Sequence, residues 1–243
     1  MTEEFAITIE NLNKSFSSFD INASFTERLI NFFTIKNEKA HKVLCDINLN
    51  VSKGEFIGII GKNGSGKSTL LKIILGAIKP DNGSKITTNG KLIRLALGIG
   101  FDVNLTARDN IYLNGTIIGL TLKEIGDKIE EIIEFAELQD FVDTPIRFYS
   151  SGMKSKLSFA IALHADAEII LIDEFFGAVG DNAFKEKSQK AFEENILKGK
   201  TIVHVSHSMK TIKNHCDKVL LLNRGRGQLF NDPMQAISTY KSL

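Results

Sequence analysis

Nine consecutive residues carry the clearest chemistry in this chain: Gly61, Lys62, Asn63, Gly64, Ser65, Gly66, Lys67, Ser68 and Thr69. They fit the pattern Gly-x-x-x-x-Gly-Lys-[Ser/Thr]. The flanks read as a short buried strand, Phe56 to Ile60, and a helix opening over Leu70 to Leu75. That strand–loop–helix context gives a short match its specificity. Three glycines and a serine let successive backbone N–H groups turn into one concavity, an anion nest. The helix behind it directs roughly +0.5 charge at the same spot. Such a cradle suits a polyphosphate. Lys67 is placed for the outer phosphates and the Ser68 hydroxyl for Mg²⁺. The plain alternative is a Gly-rich turn that happens to contain Lys-Ser.

A second group follows about a hundred residues later. Ile169, Ile170, Leu171 and Ile172 form an apolar run that ends in Asp173 and Glu174. Such a run reads as a buried strand of a parallel sheet, and ligands bind at the carboxyl ends of such strands. Asp173 suits the Mg²⁺ shell, directly or through water. Glu174 can orient and deprotonate a water that attacks a terminal phosphate. The pair therefore indicates hydrolysis rather than transfer to a bound acceptor. His207 stands at the end of another apolar strand, Thr201 to Ser206. A neutral imidazole there can hydrogen-bond a phosphate oxygen and hold the water in line. A third group, Tyr149-Ser150-Ser151-Gly152-Met153, is a Ser-x-Gly turn opening a helix, a second anion site by the same physics. One chain with two anion sites and one catalytic Glu suggests a head-to-tail dimer. ATP would then sit between one chain's loop and the other chain's Ser150, Ser151 and Gly152.

The elements that must position these groups are legible from periodicity. Phe5 to Leu12 alternates as a half-buried strand, and Val43 to Val51 reads as another. Between them, Phe25, Leu29, Ile30, Phe32 and Phe33 fall at helical spacing, which predicts an amphipathic helix. It packs either on the domain's own core or against a membrane partner. Short strands over Ser84 to Thr88 and Lys91 to Leu97 are expected in a small sheet beside the nucleotide-binding core. Leu105 to Ala167 reads as helical. Thr106 with Asp109 opens one helix and Thr121 with Glu124 another, whose buried face is Ile125, Ile129, Ile132, Ile133 and Ala136. Asp181 caps a helix to about Leu197 that stops at Gly199. Val219 to Leu222 is a strand with a Gly225-x-Gly227 turn behind it, and Asp232-Pro233 starts a last helix.

Composition narrows the classes. In 243 residues, 30 basic and 29 acidic side chains are mixed along the chain, so no basic face points to nucleic acid. Cys45 and Cys216 have no metal-ligand spacing and are expected as reduced core thiols. No stretch approaches the roughly 20 apolar residues of a membrane-spanning helix, so another chain must supply any membrane part.

The order of these motifs resembles the nucleotide-binding subunit of ABC transporters. Gly61–Thr69 looks like the Walker A motif, Ser150-Ser151-Gly152-Met153 like a variant signature, Ile169–Glu174 like Walker B with its catalytic Glu, and His207 like the switch histidine. More narrowly, the chain resembles the ATP-binding subunits of exporters of lipid-linked surface polysaccharides: capsular polysaccharide, O-antigen and teichoic acid. The residues that carry this are Leu97-Gly98-Ile99-Gly100-Phe101 with Leu105-Thr106, Tyr149–Met153, Ala178-Val179-Gly180-Asp181, Val205–Ser208 and the insertion before Val43.

The resemblance implies an α/β P-loop NTPase fold with a mixed central sheet, a small antiparallel β subdomain and an inserted helical subdomain. It implies one nucleotide-binding domain over residues 1–243, with the ATPase core at about 1–104 and 168–243 and the helical part at about 105–167. The implied cofactors are ATP and Mg²⁺, and the implied partners are a second copy of the chain and two integral-membrane permease subunits. The permease would handle the lipid-linked polysaccharide, with this chain peripheral on the cytoplasmic face of the plasma membrane. Phe25–Phe33 would then lie beside the permease. Leu97 stands near the place of the family's usual glutamine. Phe16, with His41 as the other candidate, is nearest to the place of its adenine-stacking aromatic. The sequence ends soon after the last helix, so no carbohydrate-reading domain is expected within it. The alternatives are an ABC transporter of a different substrate and a soluble, non-transport ABC ATPase.

Overall fold

In the computed structural model, which describes residues 4–16, 40–95, 100–173 and 180–243, the strands form two sheets. The larger has the order β5 (Leu92–Leu95), β6 (Ile169–Asp173), β7 (Thr201–Val205), β3 (Phe56–Gly61), β8 (Lys218–Asn223), β9 (Arg226–Phe230). Neighbours from β5 to β8 pair in parallel, and β9 closes the edge antiparallel to β8. The smaller sheet is antiparallel, with the order β2 (His41–Ser52), β1 (Phe5–Phe16), β4 (Lys85–Thr88).

Alternation along the parallel strands sorts their side chains between two cores. Ile57, Ile59, Leu171, Val203, Val205 and Leu220 face helix α1 (Lys67–Ile74) and the inner face of the small sheet. Helix α1 is thus held between the two sheets. Ile60, Ile170, Ile172, Ile202 and Leu221 face the opposite way, onto Phe159, Phe184, Phe192 and Ile212. Those partners come from α4 (Ser151–Leu163), α5 (Asn182–Phe192) and α6 (Met209–His215).

The helices between β5 and β6 build a core of their own. Helix α2 (Ala107–Ile117), α3 (Leu122–Ala136) and α4 bury Ile111, Ile125, Ile132, Leu157 and Ile161 against one another. Both expected capping boxes are present: Thr106 with Asp109 and Thr121 with Glu124. The α3 face buries Ile125, Ile129, Ile132, Ile133 and Ala136, as its spacing predicts. Asp181 caps α5, which runs through a π-helical turn, Glu193–Leu197, to Gly199 at φ 72°. Asp232 caps the final helix α7 (Pro233–Lys241), with proline in its first turn.

Three sequence expectations change. Residues Leu92–Leu95 are a strand of the large sheet, beside Ile169–Ile172, and not of the small one. Strand β9 stands where the sequence predicts only a turn. Its sequence, Arg-Gly-Gln-Leu-Phe, is mostly exposed on an edge and lacks an apolar run. The turn before it places Arg224 and Gly225 at φ 48° and 79°, the left-handed pair that a two-residue hairpin requires. Cys45 is half-buried, while Cys216 is buried and its thiol is pushed up to about 12 by burial. Boundaries also move: β1 runs on to Phe16, β2 begins at His41 and α1 begins at Lys67. The helix expected over Phe25–Phe33, with Leu97, Glu174, Ala178 and Val179, lies outside the described residues.

Candidate functional site

Strands β6, β7 and β3 are neighbours, and their carboxyl ends bring the separate motifs to one edge. Asp173 is level with Val205, and Val205 with Ile59, two residues before the loop begins. The backbone N–H of Ser206 donates to the carbonyl of Ile59 at 3.2 Å, fastening the segment before His207 to the phosphate-loop strand. Ser208 then caps α6 by accepting from the Thr211 N–H. His207 is exposed between these two serines. Lys62, Asn63, His207 and Tyr240 line one open depression of about 530 Å³.

The loop is built for a ligand with many acceptor oxygens. Gly66 precedes α1 in a left-handed conformation (φ 107°), and a Cβ there would lie 2.7 Å from Leu44 Cδ2. Only glycine lets the loop pass that close to β2. No side chain caps α1, so its first backbone N–H groups keep their anion-binding capacity. The Lys67 ammonium donates to the carbonyls of Gly61 (2.8 Å) and Lys62 (3.2 Å), which folds the loop around it. Ser65 Oγ is buried and has no hydrogen-bond partner among the described residues. Ser68 is exposed and Thr69 half-buried in the first turn of the helix.

The donor set also fits Mg²⁺. Ser68 and Asp173 offer hard oxygen donors, and no trio of His, Cys, Asp or Glu forms a cage among the described residues. Mg²⁺ typically takes one or two protein oxygens and completes its shell with phosphate and water.

Phe16 and His41, the two adenine candidates, are direct register partners at the end of the β1–β2 ladder. Strand β2 continues from there to Val43 and Leu44, which pack on Gly66 of the loop. Phe16 is exposed, and the Lys14 ammonium stands 5.1 Å from its ring centroid.

The serine turn is elsewhere. Ser150 Oγ accepts from the Met153 N–H, so the serine caps α4 with its own side chain. Ser150 and Ser151 are exposed and Gly152 is half-buried. These three residues are not among those lining the depression beside the phosphate loop. Lys156, one turn further along α4, bonds both Glu137 and Asp181, and so ties this helix to the start of α5. The Asp181 carboxyl is lowered by the backbone N–H of Phe184 and then by Lys156.

Sequence reading missed Arg94. Arg94 Nη2 donates to Asp173 Oδ2 at 2.8 Å. The two residues are far apart in sequence and meet only through strand pairing, so no local signal announces the contact. His204, in the middle of β7, was also passed over. It is fully buried beside Phe56, and burial, with a smaller effect of His215, lowers its pKa to about 4.

Residues 44–177 match the ABC transporter family. The teichoic acids export ATP-binding protein of Lactococcus lactis is 45% identical over 208 residues, covering 86% of this chain and 44% of that protein. The chain thus spans less than half the length of that relative. The ABC transporter protein AbcA of Aeromonas salmonicida is 39% identical over 99% of this chain and 77% of its own. An O-antigen export system ATP-binding protein of Klebsiella pneumoniae is 43% identical over 86% of this chain and 85% of its own. Among solved structures, the ATP-binding subunit of an ABC transporter superposes with a TM-score of 0.70 at 21% identity, over 98% of this chain and 95% of that one. A dimeric ATP-binding cassette in a post-hydrolysis state, bound to ADP and Pi, superposes with 0.67 at 22%, over 93% and 98%. These two show the fold. Together with the mixed sheet and the converging motifs, the matches establish that this chain belongs to the ABC transporter family.

Proposed function

We propose that this chain is the ATP-hydrolysing subunit of an exporter that moves a lipid-linked surface polysaccharide across the plasma membrane. The observation that carries the reading is the convergence of the phosphate loop, Asp173 and His207 on three adjacent parallel strand ends. The substrate class rests on the relatives named for teichoic acid and O-antigen export. Among the described residues no helix is long and apolar enough to cross a membrane. Because the relatives are named as ATP-binding proteins of export systems, we place the chain peripherally on the cytoplasmic face, docked to two permease subunits.

In this reading the loop N–H groups and Lys67 bind the β- and γ-phosphates. Ser68 and Asp173 hold Mg²⁺, which when bound neutralises phosphate charge and fixes the geometry of the phosphates. Glu174 takes a proton from the water that attacks the terminal phosphorus, and ADP leaves as the bond to that phosphorus breaks. His207 donates to a γ-phosphate oxygen. Phe16 or His41 supports the adenine. Ser150, Ser151 and Gly152 of a second copy close the site, which makes the working unit a homodimer.

The test is Mg²⁺-dependent ATP hydrolysis by the purified chain, alone and with its permease, beside Lys67→Ala. In cells, loss of the chain should strip a surface polysaccharide, and wild type but not Lys67→Ala should restore it. Hydrolysis that survives Lys67→Ala would overturn the site. Hydrolysis without any effect on surface polysaccharide would point to a different transported substrate or a non-transport ATPase.

A further inference from the structure

Asp173 carries a contact that the nucleotide site as described does not use. Strand β5 pairs with β6 in parallel, with Arg94 beside Leu171 and Leu95 beside Ile172. Ile93 and Leu95 face the core under α4 and α5. Arg94 alternates with them, so it leaves the sheet on the face of Leu92 and Leu171, which α1 covers. Asp173 follows Ile172 and leaves on that same face. The phosphate loop opens α1, so the pair lies on the phosphate side of the sheet.

The contact is short and sheltered. Arg94 Nη2 and Asp173 Oδ2 are 2.8 Å apart, and the two side chains are only 31% and 19% exposed. Arg94 Nε is buried and has no hydrogen-bond partner among the described residues. Among the described residues, Asp173 is the group shown to hold this guanidinium. A carboxylate only 19% exposed gains from a cation beside it. Arginine supplies a permanent one, because its guanidinium does not lose its proton in a protein.

We propose that Arg94 is the resident counter-ion of Asp173 and that its charge sets how much Mg²⁺ the site needs in order to load. The proposal rests on the reading of Asp173 as a ligand of nucleotide-bound Mg²⁺. Without a divalent cation, Arg94 keeps the carboxylate paired and turned toward the phosphate side. With nucleotide bound, Arg94 would still hold one carboxylate oxygen, and its positive charge would oppose the loading of a second cation at Asp173. The same charge favours polyphosphate, so nucleotide keeps some affinity without metal. Arg94 acts through Asp173 and is a positioning residue rather than a catalytic one.

The experiment titrates Mg²⁺ against binding of a fluorescent ATP analogue by the full chain, in wild type, Arg94→Gln and Arg94→Lys. Arg94→Gln should lower the half-saturating Mg²⁺ concentration by about tenfold, since a unit charge has been removed from a partly shielded site. It should also weaken analogue binding in EDTA. Arg94→Lys keeps the charge and should stay within about twofold of wild type on the same ground. Arg94→Met replaces Arg94→Gln if the glutamine variant fails to fold. An unchanged or raised Mg²⁺ requirement in the uncharged variant overturns the proposal, as does a lysine variant that shifts as far as the glutamine one. Lys67→Ala separates the two readings. If it still binds the analogue, the nucleotide site itself is wrong. If it abolishes binding while the Arg94 variants titrate like wild type, only the Arg94 proposal falls.

Discussion

Lys67 shows how much one side chain can organise. Its ammonium bonds two carbonyls of its own loop, so the loop is shaped around a cation. Ser65 Oγ, buried and unsatisfied by the described residues, and the uncapped start of α1 are groups that a phosphate would satisfy. His207 differs. It is exposed, but Ser206 and Ser208 hold the backbone on either side of it. If it donates to the γ-phosphate only as charge develops there, it serves turnover more than binding. His207→Ala should therefore reduce ATP turnover by about 100-fold or more while ATP affinity changes by only about threefold. Steady-state kinetics beside equilibrium nucleotide binding would check this. Parallel losses in both would remove the switch role.

At the scale of the element, β7 carries an acid-sensitive device. His204 lies level with Ile172 on one side and Gly58 on the other, inside the sheet. Burial lowers its folded pKa from 6.5 to about 4. The unfolded chain binds this proton more readily, so the stability from a neutral His204 is complete above about pH 6.5 and is lost as pH falls toward 4. The window corresponds to about 3 kcal/mol as an order of magnitude. Replacing His204 with Leu should flatten the fall in denaturant stability between pH 6.5 and 4 relative to wild type. Parallel pH profiles for the two proteins would place the acid sensitivity elsewhere. The α2–α4 helices, by contrast, are set locally. The capping boxes at Thr106 and Thr121 satisfy orphan N–H groups from within four residues of sequence. That is why their starts were readable in advance.

At the scale of the molecule, the serine turn and the phosphate loop belong to separate structural neighbourhoods. Ser150 opens α4, packed in the helical core, while the loop opens α1 between the sheets. Lys156 bridges that helical core to Asp181 at the start of α5, which follows the carboxylate strand. The bridge links the helix that carries the serine turn to the start of α5. If a second copy supplies Ser150 and Gly152, ATP should hold two chains together until it is hydrolysed. Glu174→Gln should bind ATP, hydrolyse it at least about 100-fold more slowly and run as a dimer only with ATP present. Light scattering with and without nucleotide would check this. A variant that turns over at the wild-type rate, or stays monomeric with ATP, would count against the assignment.

Motifs confined to a few residues were complete in the sequence, because their physics is local. The glycines of the phosphate loop, the apolar run ending in Asp173, the caps at Thr106, Thr121, Asp181 and Asp232, and the helical face from Ile125 to Ala136 all declare themselves by spacing. Contacts made by strand order and register did not. Leu92–Leu95 looked like a partner for its sequence neighbour Lys85–Thr88, and only the parallel pairing with Ile169–Ile172 moves it to the large sheet. That pairing places Arg94 on Asp173; the β1–β2 pairing makes Phe16 and His41 neighbours, and the place of β7 between β6 and β3 buries His204. Hydrophobic pattern says that a strand is buried and says little about which strand lies beside it, because any apolar strand satisfies the same burial. The sequence by itself determined the phosphate-loop motif and the family; the tertiary structure alone decided which cation stands beside Asp173, because strand pairing and not spacing makes that contact.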